Sequence, residues 1–176
     1  MPDVVCSRLG QPEVLDDLLL YRLSRLTATA GTMVIRLCEG RYGITRREWR
    51  VLAQLAEEGA MLSSGLAERI QLDRARTSRA VTSLVAKRLV LRATGPADRR
   101  QARLELTETG RALYEALMPQ VQRINRDILA VLTPAEVSAL EQSLVRLQAR
   151  SAHLAASAEL PKADRRRGGR ARSLLG

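Results

Sequence analysis

Apolar positions recur at helical steps along most of the chain and alternate in only one stretch. From Glu13 to about Arg41 there is no proline, and Leu15, Leu19, Leu23 or Leu26, Met33 and Leu37 follow one face. This predicts a long helix that Tyr42-Gly43 breaks. Thr45 caps a second helix carrying Trp49, Leu52, Leu55 and Ala56 and ending at Gly59. Ser63 or Ser64 opens a third, with Leu66, Ala67 and Ile70. After a short turn Asp73 caps a fourth, whose apolar positions are Ala80, Val81, Leu84 and Val85. The period then changes to polar–apolar alternation around Gly95-Pro96-Ala97-Asp98, which predicts a β-hairpin. Thr107 caps a fifth helix with Leu113, Leu117, Val121, Ile124 and Ile128, and Pro119 inside it is a possible kink. Thr133-Pro134-Ala135-Glu136 opens the last helix, with Val137, Leu140, Leu144, Leu147 and Leu154.

The third and fourth helices succeed each other at helix-turn-helix distances, so a mainly α fold is expected. The other face of the fourth helix shows Arg74, Arg76, Thr77, Ser78, Arg79, Thr82 and Ser83. Short hydroxyls and arginines are the side chains that bond phosphates and base edges in a major groove. The hairpin adds Arg92, Arg99, Arg100 and Arg103. Three long amphipathic helices exceed what one small lobe can cover, and interlocking them with a second copy predicts a homodimer. The expected organisation is a flexible N-terminus over 1–12 and a dimerisation helix over 13–43. A DNA-binding lobe follows over 44–112, then C-terminal dimerisation helices over 113–158 and a disordered basic tail over 159–176.

Charge sharpens this picture. The 176 residues carry a formal net charge of +10, but residues 41–111 hold 15 Lys and Arg against 8 Asp and Glu, a net of +7. Residues 1–40 and 112–161 are each at −1, and residues 162–176 hold 6 basic against 1 acidic residue. A basic middle between near-neutral helical ends is the footprint of a lobe for duplex DNA, the alternative being a solvated basic face. The tail either strengthens DNA binding through counterion release or only solubilises. One Trp, three Tyr and no Phe leave little for base stacking, which argues against single-stranded or RNA-loop targets. No apolar run approaches a membrane span and the first 20 residues lack a secretory pattern, so a cytoplasmic location is expected and no membrane partner.

From Ile44 to Leu113 the chain resembles the winged helix-turn-helix of MarR-type transcriptional regulators. The likeness rests on Ile44-Thr45 through Trp49-Arg50-Val51-Leu52 and on the run from Arg79 to Lys87. It rests most specifically on the wing signature Asp98, Arg100, Leu104, Leu106, Thr107 and Gly110. With the flanking helices it covers roughly residues 13–155. Arg88 departs from it, because the family commonly ends the recognition helix with glycine there. The resemblance implies a winged helix-turn-helix with a short two-stranded β-wing, its long terminal helices forming an intertwined dimer scaffold. It implies a dimeric regulator, usually a repressor, on a palindromic operator in double-stranded DNA. Recognition helices would enter successive major grooves and Arg100 the flanking minor groove. Asp98 would hold the wing arginines, while Arg74, Arg76, Thr77, Ser78, Arg79 and Ser83 would contact bases and phosphates. Arg99 and Arg103 either join them or only keep the strand soluble.

The resemblance also implies release by a small molecule, often an aromatic carboxylate, in a crevice between scaffold and DNA lobe. Its expected lining is Tyr21, Arg22, Ser24, Arg25 and Thr29 of the first helix, with Trp49 and Arg50 opposite. Arginines there suit an anionic effector, the alternative being internal salt bridges with Asp16, Asp17 or Glu48. Cys6 offers a second route to regulation, redox sensing by an N-terminal thiol, whereas Cys38 is expected to pack as a small apolar residue. No metal site, cofactor or enzymatic activity is expected. Nucleophile motifs, phosphate-binding glycine loops and metal spacings are missing from the sequence, and His153 has no visible partner. A non-specific architectural DNA-binding protein remains as the alternative function.

Overall fold

The computed structural model describes residues 7–70, 72–95 and 98–159, with the backbone alone for 94, 95 and 98–101. Cys6 and the basic tail beyond residue 159 lie outside the described residues. The elements in chain order are α1 (Leu19–Tyr42), α2 (Arg46–Glu58), β1 (Met61–Leu62), α3 (Ser63–Arg69), α4 (Arg74–Ala86), β2 (Val90–Gly95), β3 (Asp98–Leu106), α5 (Glu108–Leu129) and α6 (Pro134–Ser157). Contacts divide the chain into two compact units that meet between Leu129 and Ala130.

Local chemistry explains the boundaries. α1 starts at Leu19, six residues after the expected start at Glu13, following a separate 3-10 turn over Leu15–Asp17. The Asp17 carboxylate accepts from the Glu13 and Val14 backbone N–H groups at 3.2 and 3.3 Å, and such a local bond competes with helix propagation. α1 stops at Gly43, whose φ of 62° places it in the left-handed region where a side chain is costly. Thr45 and Glu48 form a reciprocal capping box at the start of α2, and Thr133 and Glu136 do the same for α6. Asp73 Oδ1 accepts from the Arg76 N–H at 2.8 Å to cap α4.

β3 is the middle strand of a three-stranded antiparallel sheet in the order β1-β3-β2. β1, which pairs Met61 with Leu104 and Leu62 with Arg103, adds a third strand to the expected two-stranded wing. Two residues are too few to show an alternating period, so it leaves no trace in the sequence pattern. Within the hairpin Gly95 faces Asp98, and the ladder runs back to Val90 opposite Leu106. Ala102, Leu104 and Leu106 point into the core while Arg103 and Glu105 point out, the period-2 alternation of a half-buried strand. The core gathers Ile44, Leu52, Leu55, Leu66, Leu84 and Leu104, so α2, α3, α4 and the sheet share one apolar centre.

One joint fixes the wing to the end of α4. The helix closes with a bond from the Leu89 N–H to the Leu84 carbonyl at 2.9 Å, and Arg88 adopts a φ of 58°. This is the left-handed ending normally given to glycine, so the arginine does not change how the helix terminates. The Thr107 N–H donates to the Leu89 carbonyl and the Thr107 hydroxyl to that of Arg88, while Thr107 Oγ1 accepts from the Gly110 N–H at 2.9 Å. A Cβ on Gly110 would overlap the Leu89 carbonyl oxygen. The Thr-x-x-Gly pattern is therefore a packing requirement of this joint.

α6 has no buried residue, and its predicted apolar positions Leu140, Leu144, Leu147 and Leu154 are all exposed. In the other unit, α1 leaves Leu20 78% exposed, with Leu26, Met33 and Ile35 also open. No single described helix is long and apolar enough to cross a membrane.

Candidate nucleic-acid interface

α4 presents its polar side between two grooves. On one side Arg76, Arg79 and Ser83 border a cleft with Thr45, Arg47 and Glu48 at the start of α2. On the other, Arg74 and Ser78 border a cleft with Ser63 and Ser64 of α3 and Arg92 of β2. Arg74, Arg76, Ser78 and Arg79 are exposed and Ser83 is half-buried. Thr77 corrects the expected outward face, since it is only 4% exposed and its hydroxyl donates to the Asp73 carbonyl at 3.0 Å. A hydroxyl that satisfies its own backbone can be buried cheaply, so Thr77 packs in the first turn while also lining the cleft with Arg74 and Ser78. Arg76 Nε lies 3.0 Å from Asp73 Oδ2, which holds the guanidinium beside the helix start.

The wing carries the remaining candidates. Asp98, Arg99 and Arg100 lie on β3 next to the hairpin tip, and their side chains are outside the described set. Arg103 is exposed at the base of the wing, where its neighbours across the ladders are Ala93 and Leu62.

The orientation of α4 is set by a buried carboxylate. Glu48 of α2 is 2% exposed and accepts from the Thr45 N–H at 2.5 Å. It also takes two contacts from Lys87 Nζ, at 2.9 and 3.0 Å, and Lys87 donates further to the Gly43 carbonyl at 2.8 Å. Burial pushes the Glu48 carboxyl upward. Hydrogen bonds from Ser83, Thr45 and Lys87 together outweigh it and hold the group below the usual carboxylate range. The start of α2 is thus tied to the last turn of α4.

Arg46 and Arg47 occupy the first turn of α2, where cations oppose the helix dipole. They were absent from the expected site, although this local violation is legible in the sequence, and they line clefts beside α4. Arg92, named with the hairpin arginines in the sequence, lines the α4 groove with Arg74 and Ser78.

A second cavity lies between α1, α2 and α5, with a volume of about 390 Å³. α1 lines it with Leu26, Thr27, Ala30, Gly31 and Val34, and α5 with Val121, Ile124, Asn125 and Ile128. α2 supplies Arg46, Trp49 and Arg50. Trp49 is nearly buried and stacks on Tyr114, with ring centroids 5.6 Å apart and planes within 17°. Among the described residues no carboxylate lies within 4.0 Å of Arg46 or Arg50. Burial and the neighbouring Arg46 push the Arg50 guanidinium below its ordinary range.

Trp49 and Arg50 therefore line this cavity as expected from the sequence, whereas Tyr21, Arg22, Ser24, Arg25 and Thr29 do not. Arg22 and Arg25 instead engage the turn before α1: Arg25 Nη1 lies 2.7 Å from Asp16 Oδ1, and Arg22 Nε donates to the Asp16 carbonyl at 2.5 Å. The correction has a simple cause. Near the start of α1, Arg22, Ser24, Arg25 and Thr29 are exposed and Tyr21 is half-buried, and the α1 wall of the cavity includes the small residues Ala30 and Gly31.

Cys38 is fully buried, and burial pushes its thiol up to about 11. It packs as a small apolar residue, and no group of potential metal ligands occurs among the described residues.

Comparison with known proteins agrees with this geometry. Residues 42–101 match the MarR family model. The homoprotocatechuate degradative operon repressor of Escherichia coli is 31% identical over 104 residues, which span 59% of this chain and 70% of the repressor. A probable transcriptional regulator from Pseudomonas aeruginosa superposes with a TM-score of 0.64 at 29% identity, covering 76% of this chain and 99% of that one. BpsR of Bordetella bronchiseptica, whose DNA binding is regulated by 6-hydroxynicotinic acid, superposes with a TM-score of 0.63 at 25% identity over 72% and 98% of the two chains. The chain belongs to the MarR family of transcriptional regulators.

Proposed function

We propose that the chain acts as a homodimeric repressor that binds a palindromic operator and releases it when a small anionic aromatic acid occupies the α1/α2/α5 cavity. The observation that carries this reading is the position of α2. Its first turn borders the recognition helix, while Trp49 and Arg50 one turn later line an apolar cavity with two arginines lacking acidic partners. An aromatic ring suits the Trp49 wall, and a carboxylate satisfies the guanidinium groups. The repressor of homoprotocatechuate degradation and the regulator responsive to 6-hydroxynicotinic acid support an acid of this class.

In this reading α4 enters the major groove with Arg74, Arg76, Ser78 and Arg79, and Arg100 of the wing reaches the adjacent minor groove. The open apolar positions of α1 and α6 favour a second copy of the chain, which would set the two recognition helices about one helical turn apart.

The test is fluorescence anisotropy with the duplex upstream of the protein's own gene and with a random duplex, each with and without aromatic acids. A preference of roughly 10³-fold that one acid abolishes is the expected result. Equal affinity for both duplexes would refute the proposal and leave the architectural alternative.

A further inference from the structure

Arg46 and Arg50 are the only described residues to line both the apolar cavity and a second crevice, of about 480 Å³, that mixes arginines with Ile35 and Leu72. That crevice is bordered by Arg47, by Arg76 of the recognition helix, by Thr45, and by Glu39 as its single carboxylate. Arg76 is paired with Asp73, but Glu39 makes no ion pair within 4.0 Å with any of these arginines, so among the described residues Arg46, Arg47 and Arg50 line the crevice without an acidic partner. Arg46 is fitted closely against α1. A Cβ placed on Gly31 would lie 2.5 Å from Arg46 Nη1, which puts this guanidinium directly against the α1 backbone. Arg46 and Arg50 are also four residues apart on one helix, a like-charge spacing that costs stability unless an anion intervenes.

Resting on the effector reading above, we propose that Arg46 and Arg50 form one anion clamp shared by two ligands. On the Arg76 side it takes a DNA backbone phosphate, and on the Trp49 side the carboxylate of the effector. A guanidinium turned toward one ligand is withdrawn from the other, so the acid weakens DNA binding by removing phosphate contacts. The coupling is reciprocal: DNA lowers the affinity for the acid by the same factor.

Salt dependence reads the clamp directly. Each lost phosphate contact makes the slope of log K against log salt shallower by about 0.9. The experiment measures this slope on a random duplex, where phosphate contacts dominate, for the full chain and for Arg46→Gln/Arg50→Gln and Arg47→Gln. Melting curves establish that each variant folds. The probes are 6-hydroxynicotinate and homoprotocatechuate, and quenching of Trp49, the only tryptophan, reports their binding independently of DNA.

The expected result is a slope shallower by about 1 to 2 in the double variant and in the acid-bound wild type, with no further change when acid is added to the double variant. Arg47→Gln, which lines the crevice and the cleft beside α4 but not the apolar cavity, loses slope but keeps the response to acid. An unchanged slope in the double variant would overturn the phosphate half. An acid that quenches Trp49 and weakens DNA binding at constant slope would overturn the sharing, and release would then be purely steric. If neither acid quenches Trp49, the effector reading fails for this class and the shared clamp falls with it, whereas the slopes of the variants still decide whether the crevice holds phosphate.

Discussion

Replacing Glu48 by glutamine isolates the tie between α2 and α4. The side chains are nearly the same shape, so packing is kept and chemistry changes. The substituted amide can still accept from the Thr45 N–H through its carbonyl oxygen, but its NH2 group then faces Lys87 Nζ, placing donor against donor where the structure has contacts of 2.9 and 3.0 Å. Breaking a fully buried pair by removing one partner costs about 3–5 kcal/mol. The Lys87 side chain is 37% exposed and can recover part of its hydration, which lowers the expected loss to about 2 kcal/mol. Urea unfolding at pH 7 and one protein concentration measures it, since association would make the midpoint concentration-dependent. The sign of the pH dependence is fixed as well. Glu48 is held below its ordinary value of 4.5, so its contribution is complete above that pH and is lost as pH falls through the lowered native value. The gap between wild type and Glu48→Gln should therefore be constant from pH 6 to 8 and shrink below pH 4.5. A loss under 0.5 kcal/mol at pH 7, or a gap that widens in acid, would refute the lock.

Arg88→Gly should stabilise the fold by roughly 0.5–1 kcal/mol in the same assay, because φ of 58° is strained for arginine and free for glycine; destabilisation would contradict the cap geometry. Gly110→Ala should destabilise by about 2 kcal/mol or more, since its Cβ meets backbone rather than a side chain that can move, and a neutral effect would show that the wing joint is loose. In a Cys6→Ser background, the Cys38 thiol, buried and raised to about 11, should resist alkylation at pH 8 until the protein is unfolded; rapid labelling of the native protein would refute its burial.

The elements were legible in the sequence wherever a period and a cap coincided. Thr45, Asp73, Thr107 and Thr133 each cap the helix they were expected to cap, because a short acceptor before an apolar period has few other uses. The start of α1 was not legible, because Leu15 continues the apolar period while the Asp17 carboxylate diverts the backbone into a separate turn. Thr77 shows the limit of helical spacing at a boundary. Its position groups it with the polar face, yet its hydroxyl satisfies the Asp73 carbonyl and turns it inward.

The cavity was legible only in part for a related reason. Trp49 and Arg50 stand out by chemistry, whereas the α1 wall includes the small residues Ala30 and Gly31, which carry no chemical signal until a neighbouring helix is placed. The arginines of the first turn of α2 were legible as an opposition to the helix dipole, but their relation to α4 needed the fold.

Hydroxyl-radical footprinting of the DNA upstream of the gene, with and without a bound aromatic acid, tests the central claim most directly. The account predicts two protected patches of two-fold symmetry about one helical turn apart, both lost when the acid quenches Trp49. Uniform protection along the duplex, or patches that persist with the acid bound, would contradict it.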